Sequence, residues 1–392
     1  MYTFCNKLIL LLVVLWTNMS TTNAQDSAIA VFESGKDGYK SFRIPAMITT
    51  GNGTILAFCE GRANGSDDFG NINIVMKSSN DKGKTWNTLK TIVDYGHLQA
   101  GNPAPVVDYK DPNFADGRIF LFYNTGNNHE YEVRKGKGLR EVWYKTSTDN
   151  GATWSEGTNI TLQTHYPKQP LVNPSYDFKE DWRTYANTPG HAIQLQRGKY
   201  KGRILIAANH SSGDPLPNYE DYHAHAFYTD DHGSTFKLSQ TVQVPGSNES
   251  MATALSGDKV LMNTRNQRGD VRARIVSISN NGGESWDTTY FDTTLIDPVN
   301  QASILMLGYK KNKAIIAFCN TADIKKRDHL TLRISFDEGK TWKKKYIIDE
   351  SSNPEQADFT AYSDMIIMNK KHVGILYERN NYQQIVFKKV KW

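Results

Sequence analysis

One signature, S-x-D-x-G-x-T-W or a close variant, occurs five times in this chain, each time at the end of a strand-like run. The copies span Ser79–Trp86, Ser147–Trp154, Thr229–Phe236, Ser279–Trp286 and Ser335–Trp342. A motif recurring at intervals of about 50 to 80 residues requires a fold assembled from repeated supersecondary units. Its chemistry is that of a hairpin turn. Asp or Asn accepts from backbone N–H groups, Gly takes a positive φ, and the aromatic tucks beneath its blade. These boxes concern architecture and carry no activity by themselves.

Between the boxes lie runs rich in β-branched and aromatic residues, separated by Gly, Asn, Asp and Pro clusters. They include Arg118–Asn124, Glu141–Thr146, Arg203–Ala208, Ala273–Ser279, Ala314–Cys319, Leu330–Ser335 and His372–Tyr377. No segment holds a helical i, i+3, i+4, i+7 pattern. Five marked units, with unmarked strands at both ends, predict an all-β six-bladed propeller, in which radial repetition leaves short edges and gathers loops around one axis. Closure is expected where Ala28–Phe32 joins the last strands, Met365–Met368, His372–Tyr377 and Ile385–Lys389.

Lys7, the apolar run Leu8–Trp16 and the small residues around Ala24 read as a secretory leader over residues 1–24, leaving 25–392 as one domain exported from the cytoplasm. No later apolar stretch reaches membrane-spanning length. The net charge of +5 is too small to indicate nucleic acid. Lys343, Lys344 and Lys345, like Lys388, Lys389 and Lys391, read as solvated strand faces. Of the three cysteines, Cys5 falls in the leader, while Cys59 and Cys319 sit in Ala-Phe-Cys strands and are expected as buried free thiols. Neither has metal-ligand spacing to a His or Cys. The pattern calls for no metal and no cofactor, and the chain is read as a monomer.

After the first strand of this domain comes Phe42-Arg43-Ile44-Pro45. Together with the boxes, in this order, the element resembles the sialidase (neuraminidase) family, and specifically the secreted bacterial exo-α-sialidases among the glycoside hydrolases. The likeness runs through to Tyr377-Glu378. It implies sialylated glycoproteins, glycolipids or oligosaccharides as substrates, with terminal α-linked sialic acid released and configuration retained. Sialic acid bears an ionised carboxylate on its anomeric carbon, and a guanidinium fork is its best protein partner. The resemblance assigns that role to three arginines: Arg43, Arg265 in Met262-Asn263-Thr264-Arg265, and Arg327, although Lys325, Lys326 and Arg333 stand close to the third.

Most retaining glycosidases attack with Asp or Glu, whereas sialidases use Tyr. A carboxylate would approach a centre that already bears negative charge, whereas a phenol starts neutral. The family's tyrosine matches Tyr362, and the carboxylate taking its proton matches Glu249 in Gly246-Ser-Asn-Glu-Ser250. The acid at the glycosidic oxygen falls at Asp68, chosen over its neighbour Asp67, in an exposed loop after Glu60-Gly-Arg62. Arg62 is expected to face the substrate near that loop, and Glu378 to hold Arg43 in plane. Gly101–Val106 and Thr188–Gln194 are expected as pocket-forming loops, and His191, His210, His223 and His225 as hydrogen-bonding loop residues. Two other readings use the same residues: a trans-sialidase, intramolecular kinds included, and a non-catalytic sialic-acid-binding propeller.

Overall fold

The computed structural model describes residues 27–392 except 354, 356 and 357. Segment 1–24, expected from the sequence to be a leader, lies with Cys5 outside the described residues. Nearly every regular element is a strand; the helical pieces are single turns such as Glu130–Val133 and Thr161–Thr164. The seven strand runs read from the sequence all lie within or along observed strands.

The strands form an all-β propeller arrangement. Three sheets have four strands, one has five, and one has eight. The eight-stranded sheet is two antiparallel groups of four, Ser41–Thr49 to Lys90–Val93 and Gln99–Asp108 to Thr158–Asn159, joined by a single parallel bridge between Ile72 and Gln99. The first strands of successive units pack side by side around the axis. Ser41–Thr49 touches Gln99–Asp108, which touches Trp182–Asn187, and the series continues through Ser247–Ala254, Ser303–Lys310 and Thr360–Asn369 back to Ser41–Thr49. Closure is by the chain's first described strand: Ile29–Glu33 pairs antiparallel with Gln384–Lys391, in the sheet of Thr360–Asn369 and His372–Arg379.

Each box closes its hairpin through the same hydrogen bonds. In the first, Asp81 Oδ1 accepts from Ser79 Oγ at 2.8 Å and from the backbone N–H groups of Lys84 and Thr85 at 2.9 Å, while Thr85 Oγ1 donates to Asp81 Oδ2 at 2.6 Å. These donors, led by Thr85, hold the exposed Asp81 carboxyl down to about 2. Asp149, Asp231 and Asp337 repeat the pattern, and Asn281 does so with its Nδ2 donating to Ser285 Oγ instead of accepting from it. The aromatic does more than tuck beneath its own blade. Trp154 meets Phe58 edge-on at 5.9 Å, and Trp86 meets Phe387 at 5.6 Å, each partner belonging to the preceding unit. The boxes therefore stitch neighbouring units together.

Cys59 and Cys319 are buried free thiols, and burial pushes Cys319 up to about 12. Among the described residues no helix is long and apolar enough to cross a membrane. Lys388 departs from the solvated reading: it is half-buried, and its Nζ donates to the Ile348 carbonyl at 2.6 Å.

The seam contact can be tested at Gly151, which has φ +86 and whose added Cβ would lie 2.7 Å from Leu56 Cδ1. Gly53 has nearly the same backbone, φ +88, with open space around it. Gly53→Ala should lose about 1–2 kcal/mol from left-handed strain alone. Gly151→Ala should lose more, because Leu56 must also shift. Equal losses in thermal melts would remove the seam from the account.

Candidate active site

The pocket is built at the bulges of the first strands. The register shifts between Arg43 and Ala46, Gly101 and Ala104, Trp182 and Tyr185, Ser247 and Ser250, and Thr360 and Ser363. A bulge leaves extra residues unpaired and re-aims their side chains. Of these, Ile44, Asn102, Thr184, Asn248, Glu249 and Tyr362 line one cavity of about 400 Å³. Arg43, Arg62, Asp68, Arg265 and Arg327 line it too. Segments more than 300 residues apart in sequence thus converge, as Arg43 and Glu378 do.

Tyr362 stands at the centre and is only 5% exposed. Its Oη donates to Glu249 Oε1 at 2.6 Å and accepts from Arg265 Nη1 at 3.0 Å. Arg265 Nη1 also reaches Glu249 Oε2 at 2.7 Å, closing a triangle of phenol, carboxylate and guanidinium. The Arg43 and Arg327 guanidiniums lie 5.3 and 5.7 Å from the Tyr362 ring centre. Burial first, then the Glu249 charge, drive the phenol's pKa far above its usual range; Arg265, Arg327 and Arg43 pull it back only in part. The phenol is therefore neutral at ordinary pH, and Glu249 is placed to take its proton.

Glu378 is fully buried and binds three groups. Its Oε1 accepts from Arg43 Nε at 2.7 Å and from Ile44 N at 2.9 Å, and its Oε2 accepts from Tyr362 N at 3.2 Å. One carboxylate so fixes the Arg43 fork and the backbone of the central tyrosine. Burial alone would lower the Arg43 pKa, but the Glu378 charge outweighs it and holds the guanidinium above its usual value.

At the pocket mouth, Arg62 Nη1 pairs with Asp68 Oδ1 at 2.7 Å, and the Asp68 side chain is 68% exposed. Loss of hydration at the rim would raise this carboxyl's pKa, but Arg62 and then Arg43 bring it below the usual carboxylate value. Asp67 is exposed and does not line the cavity. Glu60, to which sequence reasoning gave no role, organises this side. Its Oε2 accepts from Arg62 Nε and Nη2 at 3.1 and 2.7 Å, and its Oε1 accepts from Asn102 N at 3.0 Å. A signal was available: Glu60 and Arg62 are two apart on one strand and share a face.

Other expectations need correction. Gly101–Val106 reaches the pocket through Asn102, but Thr188–Gln194 does not. His191–Gln194 line a separate, mainly apolar cavity of about 310 Å³, with Met47, Leu305 and Ile366. His191 Nδ1 lies 2.7 Å from Asp364 Oδ1. His210, His223 and His225 are strand residues rather than loop residues, and His210 stacks on Trp182 at 3.5 Å. The rest of the lining comes from Thr184–Ala186 on their bulged strand, from the turn carrying His129, Glu130, Tyr131 and Arg134, and from Tyr219 and Tyr222. Those residues carried no sequence signal, because the meeting of distant segments, not a local pattern, sets them there. One group of metal-ligand type exists among the described residues, Asp108, Asp111 and His232. Its atoms are already engaged: Asp108 lies 2.7 Å from His232 Nδ1, and Asp111 pairs with Arg118 at 2.8 Å.

The BNR repeat-like domain family matches residues 53–375. A sialidase of Micromonospora viridifaciens is 29% identical over 378 residues, covering 90% of this chain and 52% of that protein. An exo-alpha-sialidase of Arthroderma benhamiae is 30% identical over 323 residues, covering 76% and 68%. Among solved structures, the Hadza microbial sialidase Hz136 superposes with a TM-score of 0.77 at 25% identity, covering 93% of this chain and 68% of that one. The chain spans about half the length of the Micromonospora relative and under two thirds of a Bacteroides fragilis sialidase, of which it covers 64%. A propeller of repeated boxes with an arginine-ringed tyrosine in its pocket, matched along most of its length by these proteins, places the chain in the sialidase family.

Proposed function

We propose that this protein is an exo-α-sialidase that hydrolyses terminal α-linked sialic acids with retention of configuration. The observation that carries the reading is Tyr362 Oη, held 2.6 Å from Glu249 and 3.0 Å from Arg265 in a cavity that Arg43 and Arg327 also line. The sugar's carboxylate lies between the three guanidiniums. Glu249 takes the phenolic proton as Oη attacks the anomeric carbon, and Asp68 gives its proton to the departing oxygen. Asp68 then takes a proton from water, which attacks the same carbon, and Glu249 returns its proton to the departing Tyr362 oxygen. Two inversions give net retention. A carboxylate in place of the phenol would meet the substrate charge at a penalty of about 4 kcal/mol at 4 Å in a partly screened site. The solvent exposure of Asp68 supports water, rather than a second sugar, as the acceptor.

We also read the eight-stranded sheet as two blades, because one bridge joins its halves, which gives a six-bladed propeller within a proposed single domain, 25–392. Residues 1–24 are proposed as an export leader, with sialylated glycoconjugates met outside the cytoplasm. Mass spectrometry of the exported protein should find its amino terminus near Gln25; a retained Met1 would refute this.

Tyr362→Phe should lower kcat on a fluorogenic sialoside by at least about a thousandfold, and proton NMR of the wild-type reaction should find the α-anomer as the first product. Near wild-type turnover in the variant, or a β-anomer first, would overturn the mechanism.

Asp68 must be protonated to act as the acid, and its pKa is lowered in the free protein. kcat/KM on sialosides with poor leaving groups should therefore fall as pH rises through the acidic range. Asp68→Asn should lose about 10²–10⁴-fold on those substrates, yet far less on aryl sialosides whose leaving group needs no proton. Equal losses on both classes would remove Asp68 from the acid role.

A further inference from the structure

We infer that Tyr382 is a positioning residue that couples two arms of the guanidinium clamp, Arg43 and Arg327. The inference deepens the sialidase reading and rests on it for the identity of the bound anion. Tyr382 sits at the tip of the hairpin between His372–Arg379 and Gln384–Lys391. The face of its ring lies 4.1 Å from the Arg43 guanidinium carbon. Its hydroxyl accepts from Arg327 Nη1 at 3.0 Å and donates to Asp358 Oδ2 at 2.8 Å. A single side chain thus supports one guanidinium by its π-face and orients the other by its oxygen.

The backbone around it is specialised. Asn380, Asn381 and Tyr382 are consecutive left-handed residues, with φ of 55°, 49° and 64°. Asparagine tolerates that region, whereas a bulky aromatic there is an outlier that persists only where its surroundings over-determine it. The surroundings do so. Asn380 N and Asn381 N donate to the carbonyls of Phe359 and Asp358 at 2.7 and 3.1 Å, and Ser34 Oγ donates to the Tyr382 carbonyl at 2.9 Å. The strained tip is tied to the segment that leads into Tyr362.

The choice of a phenol has an electrostatic reason. Arg43 and Arg265 each hold a carboxylate, Glu378 and Glu249, but among the described residues Arg327 has no carboxylate at salt-bridge distance. A direct acidic partner would fix Arg327 but neutralise it. A neutral phenol fixes its direction and leaves its charge for the ligand, while Asp358 holds the phenol's proton on the far side. Burial, moreover, pushes the Tyr382 phenol up to about 12, so it stays neutral throughout the working range.

Two variants test this. Tyr382→Phe keeps the ring under Arg43 and removes only the hydroxyl, so KM should rise about tenfold, the worth of one hydrogen bond to a charged group, with kcat within about twofold. Tyr382→Leu removes both contacts and should raise KM further. The dissociation constant of a dehydrated sialic-acid analogue should rise in parallel. Nitrogen-15 relaxation of the Arg327 side chain, measured without ligand, should show the guanidinium released in Tyr382→Phe. KM, analogue affinity and Arg327 relaxation all unchanged in the Phe variant would overturn the proposal, as would a fall in melting temperature alone. Were the wild-type protein to neither turn over nor bind the analogue, the sialidase reading would fail, and the Arg327 relaxation would still decide whether Tyr382 holds that side chain.

Discussion

Three guanidiniums crowded around a buried phenol would repel one another and lose their hydration, and the whole site depends on how that is offset. Two acids do it. Glu378 uses both oxygens on Arg43, Ile44 and Tyr362, so its charge and its geometry serve the Arg43 guanidinium and the backbone of the central tyrosine at once. Glu249 is shared between Arg265 and the Tyr362 hydroxyl. Removing one member of such a buried pair is worse than never having it, since the remaining charge stands unpaired in a poorly hydrated place. The compensation is also incomplete by design. With three arginines and two acids at the centre, one positive charge remains, and it faces the cavity where an anionic ligand would complete the balance.

Such a network needs side chains from distant segments held to within fractions of an ångström, and regular strands alone would not aim them. The bulges supply the aim. A regular first strand alternates its side chains between the two faces of its sheet, so none points along the axis. Each bulge twists the strand end and turns one or two residues, Glu249 and Tyr362 among them, toward the common cavity. The Asp68 loop is held differently. Asp68 rides on an exposed turn, paired with Arg62, which Glu60 holds in its turn, and under the mechanism proposed above that exposure lets it meet both a leaving sugar and water.

What the sequence revealed follows from how local each determinant is. The boxes are contiguous, so their turns and the repeating architecture were legible; their grip on the neighbouring unit was not, because Phe58 and Phe387 are far from Trp154 and Trp86 in sequence. Arg43, Arg265, Tyr362 and Glu249 were legible as motif members, and Glu60 could have been found from the two-residue period it shares with Arg62. Tyr382 gave no such sign. Its importance comes from a left-handed hairpin tip meeting Arg327 from another unit, a relation that no local pattern encodes. Thr188–Gln194 was placed at the wrong cavity for a related reason. The bulge between Trp182 and Tyr185 turns Thr184 into the pocket, and the chain beyond it runs down the axis toward the opposite end.

The same strands keep stability and chemistry apart. Leu330–Ser335 begins beside Arg327 at the pocket and ends at the box serine; Ile72–Ser79 begins after the acid loop and ends at another. At about 3.3 Å per residue, six to eight residues separate the two ends by roughly 20 to 26 Å. That exceeds the screening length in physiological salt, about 8 Å, so an ionised box aspartate such as Asp81 exerts little field on the phenol. It also lies well beyond the distance at which substitutions usually couple. The repeated turns can therefore diverge, as Asn281 and Phe236 have from the commoner Asp and Trp, without disturbing the clamp. The clamp, conversely, can carry strained backbone at Tyr382 and concentrated charge at Tyr362 because the box-stitched seams at the far end hold the ring closed.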